Sequence, residues 1–160
     1  MHQRQRLILF FGVLAVIVAL DQGTKALVRT FVGPPQIFAG GLFTLLHTEN
    51  TGAFLSLGAN LPPWAKALIF GVFVAVLLVM FTIAVVRGSI EKRGETIAAA
   101  AIIGGGFGNL MDRMARGGRV TDFLYLQAGP LHTGIFNVAD MAITFGVIWL
   151  LLTMRTKPSS

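Results

Sequence analysis

From Ala67 to Val86 the chain reads ALIFGVFVAVLLVMFTIAVV, broken only by Thr82. About 20 apolar residues match the ~30 Å hydrocarbon core of a bilayer at 1.5 Å per helical residue. In hydrocarbon each backbone N–H and C=O must be satisfied internally, so a run of this length folds as a helix. A second run of similar length covers Ile135–Met154, and two shorter ones cover Leu7–Leu20 and Thr96–Met111. The first could serve as a signal-peptide core behind MHQRQR. LDQGTK follows it with no small-x-small cleavage site, so it reads as a helix continuing through Asp21 towards Phe31. The Ala- and Gly-rich third run packs poorly against lipid and well against other helices, which places it inside a bundle. With 54% hydrophobic and 12% charged residues, the chain has too few polar side chains to cover a soluble surface.

The net charge of +6 would suggest nucleic acid in a soluble chain; here it orients the spans. Arg4 and Arg6, then Arg87, Lys92 and Arg93, then Arg155 and Lys157 fall in three short segments. An even number of spans puts all three on one side, and the positive-inside rule makes that side cytoplasmic. The expectation is one domain over 1–160, with four transmembrane helices over about 7–30, 64–86, 95–112 and 135–154. The segments at about 31–63 and 113–134 then face outward, and both termini lie in the cytoplasm. No internal repeat or low-complexity tract interrupts this plan.

The four aspartates, Asp21, Asp112, Asp122 and Asp140, all fall at outward helix ends or in outward loops. A carboxylate at mid-helix costs about 2.5–3.5 kcal/mol on insertion scales, so intramembrane acids mark function. Asp21 and Lys25, spaced i, i+4, share a helix face. They read either as an ion pair anchoring the first helix or as the flank of a polar site formed by all the helices. In HTENTGAFLSLGA, from His47 to Ala59, Asn50–Gly52 reads as a turn between short strands, and QIFAGGLFTLLH before it also looks extended. This makes a small outward β-sheet plausible. LPPW marks the entry to the second helix, with Trp64 suited to the interface.

In GGGFGNLMDR, Gly104 and Gly108 form a GxxxG that lets another helix approach closely. Asn109, Asp112 and Arg113 end one face of that helix in an amide, an acid and a guanidinium. Capping and snorkelling account for at least part of what Asp112 and Arg113 do. With no preceding strand and no Walker Lys-Ser/Thr, the glycines do not make a phosphate loop. Asp122, in the loop leading to the last helix, has apolar neighbours on both sides. Asn137, Asp140 and Thr144 occupy i, i+3 and i+7, a polar seam that must face the bundle interior.

Asp122 and Asp140 brought together would form an aspartic dyad. Two carboxyls about 3 Å apart share one proton. The charged member takes a proton from water as it attacks a carbonyl, and the protonated member stabilises the developing charge. The pair titrates as a unit, so the sequence leaves open which is the base. Serine catalysis fails because Ser56 and Ser89 fall on opposite sides of the membrane. The chain has no cysteine for a nucleophile, thiolate site or disulfide, its three histidines are scattered, and HExxH is absent. An ion or proton pathway remains the rival reading. Such a relay needs polar groups on both sides of the midplane, and here they stop partway.

The stretches DQGTK, NTGAF, GGGFGNLMDR, GGRVTDF and FNVAD, in that order, resemble the bacterial lipoprotein signal peptidases (signal peptidase II). The resemblance covers nearly the whole chain. It implies an all-α integral membrane protein with four transmembrane helices, a small extracytoplasmic β-sheet and a short periplasmic helix or loop. It implies an aspartic endopeptidase of the bacterial cytoplasmic (inner) membrane, with Asp122 and Asp140 catalytic at the extracytoplasmic face. Asp21, Lys25, Asn50, Gly52, Gly108, Asn109, Asp112, Arg113, Asn137 and Ala139 would build and support the site. The implied substrate is a diacylglyceryl-modified prolipoprotein cut before its lipidated cysteine. Globomycin inhibition, contact with membrane lipid, and no metal or organic cofactor are also implied. A monomer is expected. Gly23 within DQGTK and Met141 after Asp140 depart from the family's usual residues, and neither touches the proposed pair.

Overall fold

The computed structural model describes residues 1–52, 58 and 60–154. Arg155 and Lys157, and most of the strand expected after the Asn50–Gly52 turn, lie outside the described residues. Helix α1 spans Gln3–Phe31. A continuous rod follows, made of α2 (Pro63–Lys66), a π-helical segment (Ala67–Phe73) and α3 (Val74–Arg87). Pro63 takes the first position of that rod, where its missing N–H would have no intrahelical partner anyway. Gly88 closes the rod at φ 95°, a left-handed cap that suits glycine. Helices α4 (Arg93–Ala115) and α5 (Val138–Met154) complete the bundle.

Two of these helices, Gln3–Phe31 and Pro63–Arg87, are long and apolar enough to cross a bilayer. Helix α5 is shorter, and α4 is diluted by Asn109, Asp112, Arg113 and its glycines. Only 11% and 6% of the two apolar windows are buried, whereas a soluble core helix would be mostly enclosed. The bundle is apolar outside and polar within. Trp64, Phe31, Phe73 and Trp149 are exposed, while the largest fully buried side chains include Lys25, Asn137, Thr121, Asp21, Asp112 and Asp122. That distribution suits a lipid solvent.

Helix α4 lies at the centre, against α1, α3 and α5, as its composition anticipated. The GxxxG glycines both face α1. A Cβ on Gly104 would sit 3.3 Å from the Leu14 carbonyl oxygen, and one on Gly108 would sit 2.5 Å from Asp21 Oδ2. Gly105 turns to α5, where a Cβ would strike the Ala139 carbonyl. A small apolar core of Phe10, Val85, Ala99, Ala100 and Ile103 holds the other end of the bundle.

An antiparallel sheet in the order β1-β2-β3-β4 covers the end where α1 and α4 finish and α5 begins. Its strands are β1 (Gln36–Phe38), β2 (Phe43–Asn50), β3 (Val120–Ala128) and β4 (Leu131–His132). The stretch carrying Asp122, read above as a loop, is therefore the longest strand. The β2–β3 register slips between Leu45 and Thr48, a bulge that leaves Thr48 opposite Asp122 and Asn50 opposite Val120. Phe136 bridges to Leu124 of β3, which brings the start of α5 alongside Asp122.

Candidate active site

The site begins with the way α5 starts. Asn137 directly precedes the helix, and its Oδ1 accepts the Asp140 N–H at 2.9 Å. Asp140 Oδ2 in turn accepts the Asn137 N–H at 3.3 Å. These reciprocal bonds form a capping box that satisfies donors a helix start leaves orphaned. The polar seam read from the sequence therefore stops here. Thr144, expected to continue it inward, is exposed on the outside of α5. The reason is that Asn137 lies outside the helix and the Asp140 carboxylate reaches back to it over the helix start, so the burial of these two does not carry on to the face one turn later.

With its oxygen held by the Asp140 N–H, the Asn137 amide must direct its NH2 elsewhere, and it donates to Asp122 Oδ1 at 2.6 Å. One residue thus bonds both carboxylates, its side chain reaching Asp122 and its backbone N–H reaching Asp140. The other two asparagines obey the same logic. Asn50 Oδ1 accepts the Gly52 N–H at 2.8 Å, and its Nδ2 donates to Asp122 Oδ2 at 2.8 Å. Asn109 Oδ1 accepts from Lys25 Nζ at 2.9 Å and from Asn137 Nδ2 at 3.2 Å, while its Nδ2 donates to Asp140 Oδ1 at 2.9 Å. Every carboxylate oxygen of the pair receives one N–H. Such bonds fix each carboxylate plane and leave its other lone pairs for a reactant. Burial pushes the Asp122 carboxyl up to about 6; the nearby Asp140 charge adds to the rise, against the Asn50 and Asn137 bonds.

Beneath the pair lies a charge cluster. Lys25 is fully buried, 2.9 Å from Asp21 Oδ2 and 3.2 Å from Asp112 Oδ2. Burying an ammonium is tolerable only with such partners. The Asp21–Lys25 pair thus both anchors α1 and reaches the site, through the Lys25 bond to Asn109. Asp21 Oδ1 accepts the Ala139 N–H at 2.9 Å, which pins the first turn of α5 to α1. Gly108 makes room for Asp21. Asp112 does not snorkel: it is buried and accepts the Thr121 N–H at 3.1 Å. Arg113 donates to the Gly52 carbonyl at 2.7 Å and stacks over Phe70 at 5.4 Å, holding the Asn50–Gly52 turn.

Thr144 apart, the site residues named from the sequence therefore join one network. Further members were not singled out. Thr121, fully buried, receives an Arg29 N–H at 3.1 Å and donates to Glu49 Oε1 at 3.3 Å. Gln22 spans Asp21 and the Gly108 carbonyl, both at 3.0 Å. Arg29 lies one turn beyond Lys25, a spacing that could have marked it; Thr121 carries no signal beyond adjacency to Asp122. Of the two departures, Gly23 would meet nothing within 4 Å if given a Cβ, and Met141 is partly exposed.

A solved structure described as a bacterial membrane enzyme, determined by the in meso method at 2.3 Å, superposes with a TM-score of 0.79. It is 22% identical, and the match covers 94% of this chain and 93% of that one, so it shares the fold. The lipoprotein signal peptidase of Desulforapulum autotrophicum is 38% identical over 138 residues, 83% of either chain. That of Brevibacillus brevis is 35% identical, covering 89% of this chain and 92% of its own. The family model described as signal peptidase (SPase) II matches residues 13–156. That match takes in most of α1, the sheet, the Asn137–Asp140 capping box and the glycine face of α4 together, and the chain belongs to the signal peptidase II family.

Proposed function

We propose that this protein is an aspartic endopeptidase that removes signal peptides from diacylglyceryl-modified prolipoproteins, cutting before the lipidated cysteine. Asp122 and Asp140 act as the catalytic pair. Family membership supports the reaction, and the single observation that carries the mechanism is Asn137 bonded to both carboxylates at once. One carboxylate accepts a proton from water as the water oxygen bonds to the scissile carbonyl carbon. The other, protonated, donates to the carbonyl oxygen as negative charge develops there. Collapse of the tetrahedral intermediate breaks the C–N bond, and the proton returns to the leaving amine. Asp122, pushed up to about 6, titrates nearer neutrality than an ordinary carboxyl, as suits a pair that shares one proton.

α1, the Pro63–Arg87 rod, α4 and α5 form four spans of the bacterial cytoplasmic membrane in this reading. Arg4, Arg6, Arg87, Lys92 and Arg93 lie inside, and the sheet with the paired acids lies at the outer surface. At 1.5 Å per residue, the 23 residues of α4 reach about 35 Å, enough to cross. The substrate's acyl chains stay in lipid while its signal helix lies between spans, so remote contacts position the peptide bond. No step needs a metal or organic cofactor. Binding of globomycin-type inhibitors and a monomeric working form belong to the same reading. The test is processing of a lipid-modified prolipoprotein by purified Asp122→Asn and Asp140→Asn proteins. Each should insert normally yet lose at least about 10³-fold in turnover; near-normal cleavage by either removes the pair from the mechanism.

A further inference from the structure

A cavity of about 460 Å³ opens between the start of the Pro63–Arg87 rod and the last turns of α4. Phe70, Leu110 and Met114 supply apolar lining, and Lys66, Arg113 and Arg119 supply three cations. No carboxylate belongs to the lining among the described residues. The ion pairs of the described residues include none of the three cations. Arg113 spends its terminal nitrogens on two neutral carbonyls, those of Asn109 and Gly52, while its Nε is buried without a partner. Arg113, which feels Asp140, Asp122 and Asp112 at longer range but pairs with none of them, lines one space with Lys66 and Arg119, and no carboxylate of the described residues lines it with them. Such an arrangement calls for an anion.

We propose that this cavity binds the phosphodiester headgroup of an anionic phospholipid from the outer leaflet. The inference rests on the membrane placement given above, which puts this end of the bundle at a bilayer surface. A free phosphate would use the cations alone. A lipid also uses the apolar wall, and Met114, 80% exposed, offers its side chain where a tail would descend. The proposed substrate does not account for the cations, because a diacylglyceryl thioether carries no phosphate. The bound lipid sits against Arg113, which holds the Gly52 turn and so, through Asn50, the Asp122 carboxylate. Headgroup occupancy is thereby linked to the order of the site.

The test is native mass spectrometry of the intact protein released from nanodiscs of phosphatidylcholine mixed with phosphatidylglycerol. The wild type, and equally the Asp122→Asn protein, should retain one phosphatidylglycerol in preference to phosphatidylcholine. Lys66→Gln with Arg119→Gln should weaken retention about thirtyfold, at roughly fivefold per charge near a surface. Arg119→Gln alone should lose about fivefold, which gives a second reading if the double variant inserts poorly. Millimolar inorganic phosphate should leave the lipid in place. Equal retention by wild type and variants, or no preference over phosphatidylcholine, overturns the proposal, and displacement by inorganic phosphate reduces the cavity to a bare anion site. Because nothing here reads cleavage, a protein that inserts but keeps no anionic lipid refutes this inference alone. One that fails to insert refutes the membrane placement instead.

Discussion

Asn50 shows how a single amide sets the chemistry of an acid. Its NH2 favours the ionised form of Asp122, so it opposes the burial that lifts that carboxyl to about 6. Asn50→Ala removes the donor, the charged form loses support, and the Asp122 pKa must rise further. Whichever limb of the kcat/KM profile Asp122 governs should therefore move to higher pH, by about half to one unit, the scale of one hydrogen bond to a charged acceptor. A pH–rate series on a lipidated peptide checks the sign, and a downward shift would contradict it. At this scale the sequence was informative about identity and silent about direction. The sorting of the aspartates to one side marked the site, because charge depth is a local cost that sequence records. The orientation of Asn50, Asn109 and Asn137 was not legible, since each amide is aimed by donors distant in the chain (Lys25 for Asn109) or by the backbone of a turn. Thr144 misled because the Asp140 carboxylate turns back towards the helix start, so its burial says nothing about a residue one turn further along.

Among the elements, the helices were readable from run length and the strand β3 was not. VTDFLYLQA has apolar side chains at both parities, because its first four residues are buried on both faces, the next two are half-buried and the last three are exposed. The usable signal was a stretch rich in β-branched and aromatic residues bounded by Gly118 and Gly129. The glycine face of α4 makes the sharpest prediction. Gly108→Ala would press a methyl on Asp21 Oδ2, and the carboxylate is tied to Lys25, Gln22 and Ala139, so it cannot swing aside freely. A loss of about 1–3 kcal/mol in stability is expected, with a fall in cleavage rate. Gly23→Ala, in open space on α1, should instead stabilise by about 0.5–1 kcal/mol. Thermal unfolding in detergent separates the two, and equal behaviour would mean that close approach at Gly108 is unimportant.

For the molecule as a whole, the inverted distribution of polarity and the one-sided sheet make a claim about sidedness. The chain has no cysteine, so single cysteines report cleanly. Ser89→Cys should react with an impermeant maleimide only from the cytoplasmic side, and His132→Cys only from outside. Labelling of both from one side would refute the single span, α4, between them and the topology with it. The capping box at the start of α5 bears on how such a protein is made. Asn137 and Asp140 receive their geometry from the helix they initiate, and Asp122 receives its partner only when that helix docks beside β3. In the proposed mechanism, competence to hydrolyse therefore waits until α5 has docked beside β3, and a nascent chain still threading into the bilayer is chemically inert towards its neighbours.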